Sequence, residues 1–184
     1  MAEGYEQAGP SPQGGAYPGR RLGNRFELTQ RIKQGRGITT WLGVDLRTRA
    51  RLVVKMTPAF SLAPAARQRL EHEANVLGSL HSPYLVPILH FGHAGDLLYL
   101  VMPFLPGVSL QERLTNGTLS VPEALTVGQC VLAALAEAHA RGVLHRDVKP
   151  SNIIVEGRPT LTRATLVDFG LARSERLDPS LRDL

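Results

Sequence analysis

The stretch Val143-Leu-His-Arg-Asp147-Val-Lys149-Pro-Ser-Asn152, with Asp168-Phe169-Gly170 beginning sixteen residues after Asn152, decides the reading of this chain. Just upstream, Ser120-x-x-Glu123 is a capping box that opens a helix running to about Arg141. Gly142 stops that helix, with His139 and Arg141 in its last turn. A second box, Ser109-x-x-Glu112, opens another helix before it. Downstream, Ile153–Val155 and Thr165–Val167 read as a short hairpin between the two polar motifs.

Further upstream the period changes from helical to alternating. Phe26, Leu28 and Ile32 fall at even spacing, and Leu42, Val44 and Leu46 continue the alternation on a second strand. Arg47 to Ala50 form a polar turn, and Leu52 to Met56 a third strand with Lys55 inside it. Leu85–Phe91 and Leu97–Met102 are expected to pair around the turn His93-Ala94-Gly95-Asp96. Pro64 to Leu80 is helical. Glu73, Val76, Leu77 and Leu80 share its apolar face, so Glu73 needs a buried partner, and Lys55 is the nearby lysine. Glu71 points elsewhere. Residues 1–24 hold six Gly and three Pro and almost no large apolar side chains, and are expected to be a disordered leader. The predicted architecture is α+β, with five antiparallel strands around one helix, then helices, then a small hairpin, in two unequal lobes.

Composition narrows the function. The chain has 184 residues, 43% hydrophobic and 20% charged, with a net charge of +5. Its basic residues are scattered, without a run of four, and aromatics are 5%, so nucleic acid is not the expected partner. The longest apolar run, Leu97 to Pro106, is broken by two prolines and is too short for a membrane span. Met1 to Gly15 carries Glu3 and Glu6 and no apolar core, so it does not read as a secretory signal. Cys130 stands alone and predicts core packing in a reducing cytoplasm. His90-x-x-His93 lacks the companions of a metal site and reads as structural, as does Trp41. Lysine is rare: Lys33, Lys55 and Lys149 stand against eighteen arginines. An ammonium is a compact point charge that a guanidinium does not replace in a tight site.

The pattern H-R-D-x-K-x-x-N followed by D-F-G resembles the catalytic and magnesium loops of protein kinases, and most of all the eukaryotic-like Ser/Thr kinases of bacteria. The resemblance covers about residues 26–173. It implies a two-lobe kinase domain over 25–184, with an N-lobe over about 25–105 and a partial C-lobe over about 106–184. It implies ATP and Mg²⁺ as cofactors, a protein Ser/Thr hydroxyl as acceptor, and a role in signal transduction. By this resemblance Asp147 orients or accepts the substrate proton, Lys149 offsets charge on the γ-phosphate, and Asn152 and Asp168 hold magnesium. Lys55 matches the lysine of the α- and β-phosphates and Glu73 the glutamate that braces it. Val53 is expected against adenine, Met102 as gatekeeper, and Pro103 and Leu105 as hinge contacts.

By the same resemblance Arg146 matches the regulatory arginine of kinases switched by activation-loop phosphorylation, with Ser174 and Ser180 as candidate targets. His145 and Phe169 are packing residues. The family's G-x-G-x-x-G is incomplete: Gly35 and Gly37 are present, while the outer places fall on Lys33 and Ile38 or, in a shorter hairpin, the third on Thr40. The resemblance also implies further C-lobe helices beyond Leu184, and a truncated domain is expected. Loss of cover on five large apolar side chains of the 121–141 helix would cost about 7–15 kcal/mol. The alternative reading is a non-catalytic, kinase-like fragment that binds nucleotide or serves as a scaffold.

Overall fold

In the computed structural model, described for residues 15–35, 37–61, 64–157 and 160–168, a twisted antiparallel sheet is joined to a small helical lobe. The sheet has six strands in the order β1-β2-β3-β4-β6-β5. They are β1 (Arg21–Leu22), β2 (Phe26–Gly35), β3 (Ile38–Asp45), β4 (Arg51–Pro58), β5 (His90–Ala94) and β6 (Leu97–Pro103). Helix α1 (Pro64–Gly78) lies between β4 and β5 in sequence. The second lobe holds β7 (Val108–Ser109), α2 (Leu110–Thr115), α3 (Val121–His139), β8 (Ile153–Glu156) and β9 (Arg163–Leu166), with the three strands in one sheet.

Three apolar clusters follow from this layout. One face of the large sheet buries Phe26, Leu28, Trp41, Val54, Met56, Tyr99 and Val101. The other face, toward the second lobe, gathers Leu100 and Met102 with Ala74 of α1 and Val86, and Val53, Leu105 and Val167 pack against them. In the second lobe, Val127, Cys130, Ala134 and Ala138 of α3 pack with Ala164 and Leu166 of β9. Small side chains at those α3 positions let helix and strand approach closely. By length and composition alone α3 could cross a membrane, but this stripe is core. Its other side leaves Val121, Leu125 and Leu132 exposed.

Three expectations are corrected. The leader does not extend to residue 24: Arg21 and Leu22 pair with Glu27 and Phe26, and Leu22 is fully buried. A single large apolar side chain amid glycines is enough to add this short strand. Ile32 is half exposed rather than in phase with Phe26 and Leu28, because two bulges, between Leu28 and Gln30 and between Arg31 and Lys33, reset the alternation of β2. The stretch Leu85–Leu89 is not strand. It begins beside β9, with one parallel bridge from Leu85 to Leu166; Leu85, Val86 and Ile88 pack into the apolar clusters, while Leu89 is half exposed and its N–H bonds the Val101 carbonyl at 2.8 Å. Apolar spacing alone does not separate that arrangement from a ladder.

The caps behave as the sequence predicts at α3, where Ser120 and Glu123 bond reciprocally. At α2, Ser109 accepts from the Glu112 N–H.

Candidate active site

The site lies where the sheet's inner face meets the segment 145–152 and the end of β9. His145 is buried and ties these pieces together. Its Nε2 lies 3.0 Å from the Val167 carbonyl, and its Nδ1 accepts from the Asp147 N–H at 3.3 Å. Both bonds together require the neutral imidazole with the proton on Nε2. Burial holds the His145 pKa below its ordinary value, against the raising effect of the Val167 carbonyl, Asp168 and Asp147.

Asn152 is buried and turned so that its Nδ2 donates to the Asp147 carbonyl at 2.9 Å and to Asp147 Oδ2 at 3.0 Å. Lys149 Nζ donates to the same Oδ2 at 2.6 Å. The backbone closes the loop, with Asn152 N–H on the Lys149 carbonyl and Val167 N–H on the Asn152 carbonyl, each 2.9 Å. Asp147 is thus oriented by an ammonium and a carboxamide on one oxygen. Across the cleft, Lys55 Nζ forms an ion pair with Asp168 Oδ1. Arg146 and Asp168 both hold positive φ, 59° and 66°, which non-glycine residues adopt at a cost of about 1–3 kcal/mol.

Of the residues singled out in sequence, Lys55, Asp147, Lys149, Asn152 and Asp168 converge here. A small cavity is lined by Lys55, Leu77, Val86, Ile88, Leu100, Met102 and Asp168. Met102 is buried behind it, opposite Val53 in the β4–β6 ladder. Pro103 pairs with Leu52, and the Phe104 N–H bonds the Arg51 carbonyl at 3.0 Å, which fixes the strand end leading to Leu105. Gly35 pairs with Ile38 at the end of the β2–β3 ladder, and Gly37, in the turn between them, holds φ 77°. Glu73 lies within α1, but its side chain is outside the described residues, as are Phe169, Gly170, Ser174 and Ser180.

The residues set aside as structural have visible packing roles. His90 stacks near Phe26 and Tyr99, and His93 Nε2 meets Glu71 at 3.2 Å. Cys130 and Trp41 are buried. Sequence reading missed Asp45, a buried carboxylate held by Arg25 at 2.8 Å and by the Arg47 N–H at 2.9 Å. The Arg25 guanidinium lowers its pKa to about 2. Its place beside a polar turn gave no sign of burial.

The donor set suits a hard divalent cation held jointly with phosphates. Among the described residues no group of three or more His, Cys, Asp and Glu exists to cage a metal alone. Besides Asp147, what stands near the cleft is the carboxylate of Asp168 and the carboxamide of Asn152, whose nitrogen is spent on Asp147 and whose oxygen remains as a donor. Magnesium is commonly bound by one or two such groups plus substrate oxygens.

Residues 26–183 match the family described as the protein kinase domain. The chain is 40% identical over 133 residues to the serine/threonine-protein kinase PknH of Mycobacterium bovis, covering 70% of this chain and 21% of that protein. It is 33% identical over 162 residues to a probable serine/threonine-protein kinase, pknA2, of Bifidobacterium longum, covering 85% and 21%. The chain therefore spans about a fifth of these relatives' length. Among solved structures it resembles the PknI kinase domain of Mycobacterium tuberculosis, with TM-score 0.72 and 24% identity over 85% of this chain and 64% of that one. It also resembles Rad53 in complex with AMP-PNP, with TM-score 0.70 and 26% identity over 80% and 38%.

Proposed function

Because the chain belongs to the protein kinase domain family, with serine/threonine-protein kinases as its relatives, we propose that it is the ATP-handling part of a bacterial-type Ser/Thr protein kinase. The reaction moves the γ-phosphate of Mg-ATP to a protein Ser or Thr hydroxyl. The observation that carries this reading is the placement of the Lys55–Asp168 ion pair across the cleft from the Asp147–Lys149–Asn152 network, with His145 joining the two.

Each residue has a part. Asp147 orients the acceptor hydroxyl and takes its proton as the P–O bond forms. Lys149, now on Asp147, is within reach of the phosphoryl group as its charge spreads. Lys55 holds the α- and β-phosphates. Asp168 and Asn152 would hold magnesium, which when bound neutralises phosphate charge. Val53, Met102 and Leu105 form the apolar wall for adenine, and the Pro103 carbonyl and Leu105 N–H supply its polar contacts. Arg146 would receive a phosphate from the segment after Gly170. The single buried cysteine fits a cytoplasmic location for this domain.

The test is Mg²⁺-dependent nucleotide binding by the 184-residue chain, and peptide phosphorylation by a chain continued downstream. Lys55→Met should abolish tight binding. Wild-type binding that is indifferent to Mg²⁺ and to Lys55 would reject the proposal. A second reading, a nucleotide-binding module that does not transfer phosphate, is favoured by the two-residue turn at Gly37, which offers few backbone donors over the phosphates. Transfer by the extended chain would eliminate it.

A further inference from the structure

The hairpin that should cover the phosphates lacks the full glycine pattern, yet its ladder places something else there. In register, Lys33 of β2 stands opposite Thr40 of β3, Thr40 opposite Lys55 of β4, and Lys55 opposite Leu100 of β6. Directly opposed residues of an antiparallel sheet project to the same face. Lys33, Thr40, Lys55 and Leu100 therefore form one row, and its face is the one from which Lys55 reaches Asp168. Two inter-strand steps separate the Lys33 and Lys55 backbones, about 10 Å.

The bulge between Arg31 and Lys33 creates this row. Arg31 pairs with Trp41, a residue buried in the opposite face. Without the extra residue, Ile32 would stand opposite Thr40; with it, Lys33 does. Bulges re-aim side chains and concentrate next to active sites. Lys33 is exposed and has no carboxylate partner among the described residues. The chain's other two lysines both sit on acidic groups of the site, Lys55 on Asp168 and Lys149 on Asp147. In a chain with eighteen arginines, all three lysines then face one place.

We propose that Lys33 is a third ammonium of the site, contacting the nucleotide's phosphate chain from the roof of the cleft in place of the backbone donors that a full glycine loop supplies. This rests on the Mg-ATP reading above. A terminal ammonium on a flexible stem can reach down past Thr40, and a charge-assisted contact to phosphate is stronger than a neutral N–H bond. The added contact discriminates phosphate and not base.

Two measurements on the full 184-residue chain test this. In the first, affinities for Mg-ATP and for adenosine are compared. Lys33→Met should weaken Mg-ATP about tenfold and leave adenosine unchanged, Lys33→Arg should recover part of the loss, and Arg31→Met, on the opposite face, should change neither. An unchanged ratio of the two affinities in Lys33→Met overturns the inference. In the second, an acyl phosphate of ATP, which passes its acyl group to amines beside the polyphosphate as the phosphate leaves, is mapped by peptide mass. Lys33 and Lys55 should both be acylated, and excess Mg-ATP should protect both. Protected labelling of Lys55 with Lys33 bare or unprotected rejects the role of Lys33 and keeps the nucleotide site. No protected labelling at any lysine rejects both.

Discussion

Below the cleft, His145, Asp147, Lys149 and Asn152 hold one another through side-chain bonds of 2.6 to 3.3 Å, on a backbone locked to Val167. Above it, Thr29 to Gly35 of β2 are exposed along their whole length and are held by ladder bonds to β3. The floor is a polar network over a buried core, in which each group depends on another. The roof is a two-stranded projection whose side chains have few neighbours. The same cleft thus has one wall whose side chains are fixed by one another and one held by its backbone ladder alone. Catalysis of phosphoryl transfer rests on positioning, so the reactive groups belong on the fixed wall.

This contrast predicts unequal effects. The largest should come from the floor's chemistry. In a chain extended to a whole catalytic domain, Asp147→Asn should lower phosphate transfer by about 10²–10⁴, with nucleotide affinity little changed. Steady-state rates against a Ser/Thr peptide would measure it. An equal loss in ATP affinity would move Asp147 from the proton's path to a binding role.

Next comes the floor's packing. Leu166 is fully buried, pairs with Ile153, and bonds the Tyr84 carbonyl at 2.8 Å and the Val86 N–H at 3.1 Å through its backbone. Leu166→Ala should cost about 2–5 kcal/mol in urea unfolding. The roof residue Ile32, half exposed at the bulge, should give less than about 0.5 kcal/mol when changed to Ala. Similar losses at both would erase the distinction between the walls.

The acid limb of stability should trace to one carboxylate in each lobe, Glu123 and Asp45. Bonds from the Ser120 N–H and hydroxyl and from the Leu161 N–H, with Arg113 nearby, lower the Glu123 pKa from 4.5 to about 2. A carboxylate with a depressed folded pKa adds stability above its unfolded value and loses it as pH falls through the folded one. Stability should therefore fall between about pH 4.5 and 2, and Asp45, lowered from 3.8 to about 2, adds to the same window. Glu123→Gln should flatten part of that limb in pH-dependent thermal unfolding. A limb of unchanged steepness would assign it to other carboxylates.

The same difference between walls governs what could be read from sequence. The floor was legible because its chemistry is written in consecutive residues: once His145-Arg-Asp147 and Asn152 are in one short loop, their convergence is almost forced by chain length. Lys55 was legible as a charge inside an apolar strand. The roof was not legible at the same level, because register decides it. Ile32 looked in phase with Phe26 and Leu28, and two bulges that no residue type announces put Lys33 on the cleft row instead. Leu22 was hidden by its glycine-rich surroundings. Leu85 to Ile88 carried the composition of a strand but serves as filling between lobes, a choice made by tertiary packing. Asp45 shows the converse case, a charge that looks solvated in sequence and is buried because Arg25 comes to it from a neighbouring turn.

A last pair of effects separates the two roof glycines. Gly37 holds φ 77° in the two-residue turn, and a Cβ there would meet open space, so the only penalty of Gly37→Ala is conformational, about 1 kcal/mol. Gly35 has no positive φ and also faces open space, so Gly35→Ala should leave stability unchanged or slightly raised. If Gly37 serves the turn and Gly35 serves close approach of phosphate, the two substitutions should cross over: Gly37→Ala lowers the melting temperature with modest effect on Mg-ATP affinity, and Gly35→Ala weakens Mg-ATP binding at constant melting temperature. The physical basis is that a methyl group in open solvent costs nothing until a ligand fills that space. Thermal unfolding and nucleotide titration on the same two variants would show the crossing, and parallel changes in both quantities would mean that the roof contributes to binding only by being folded.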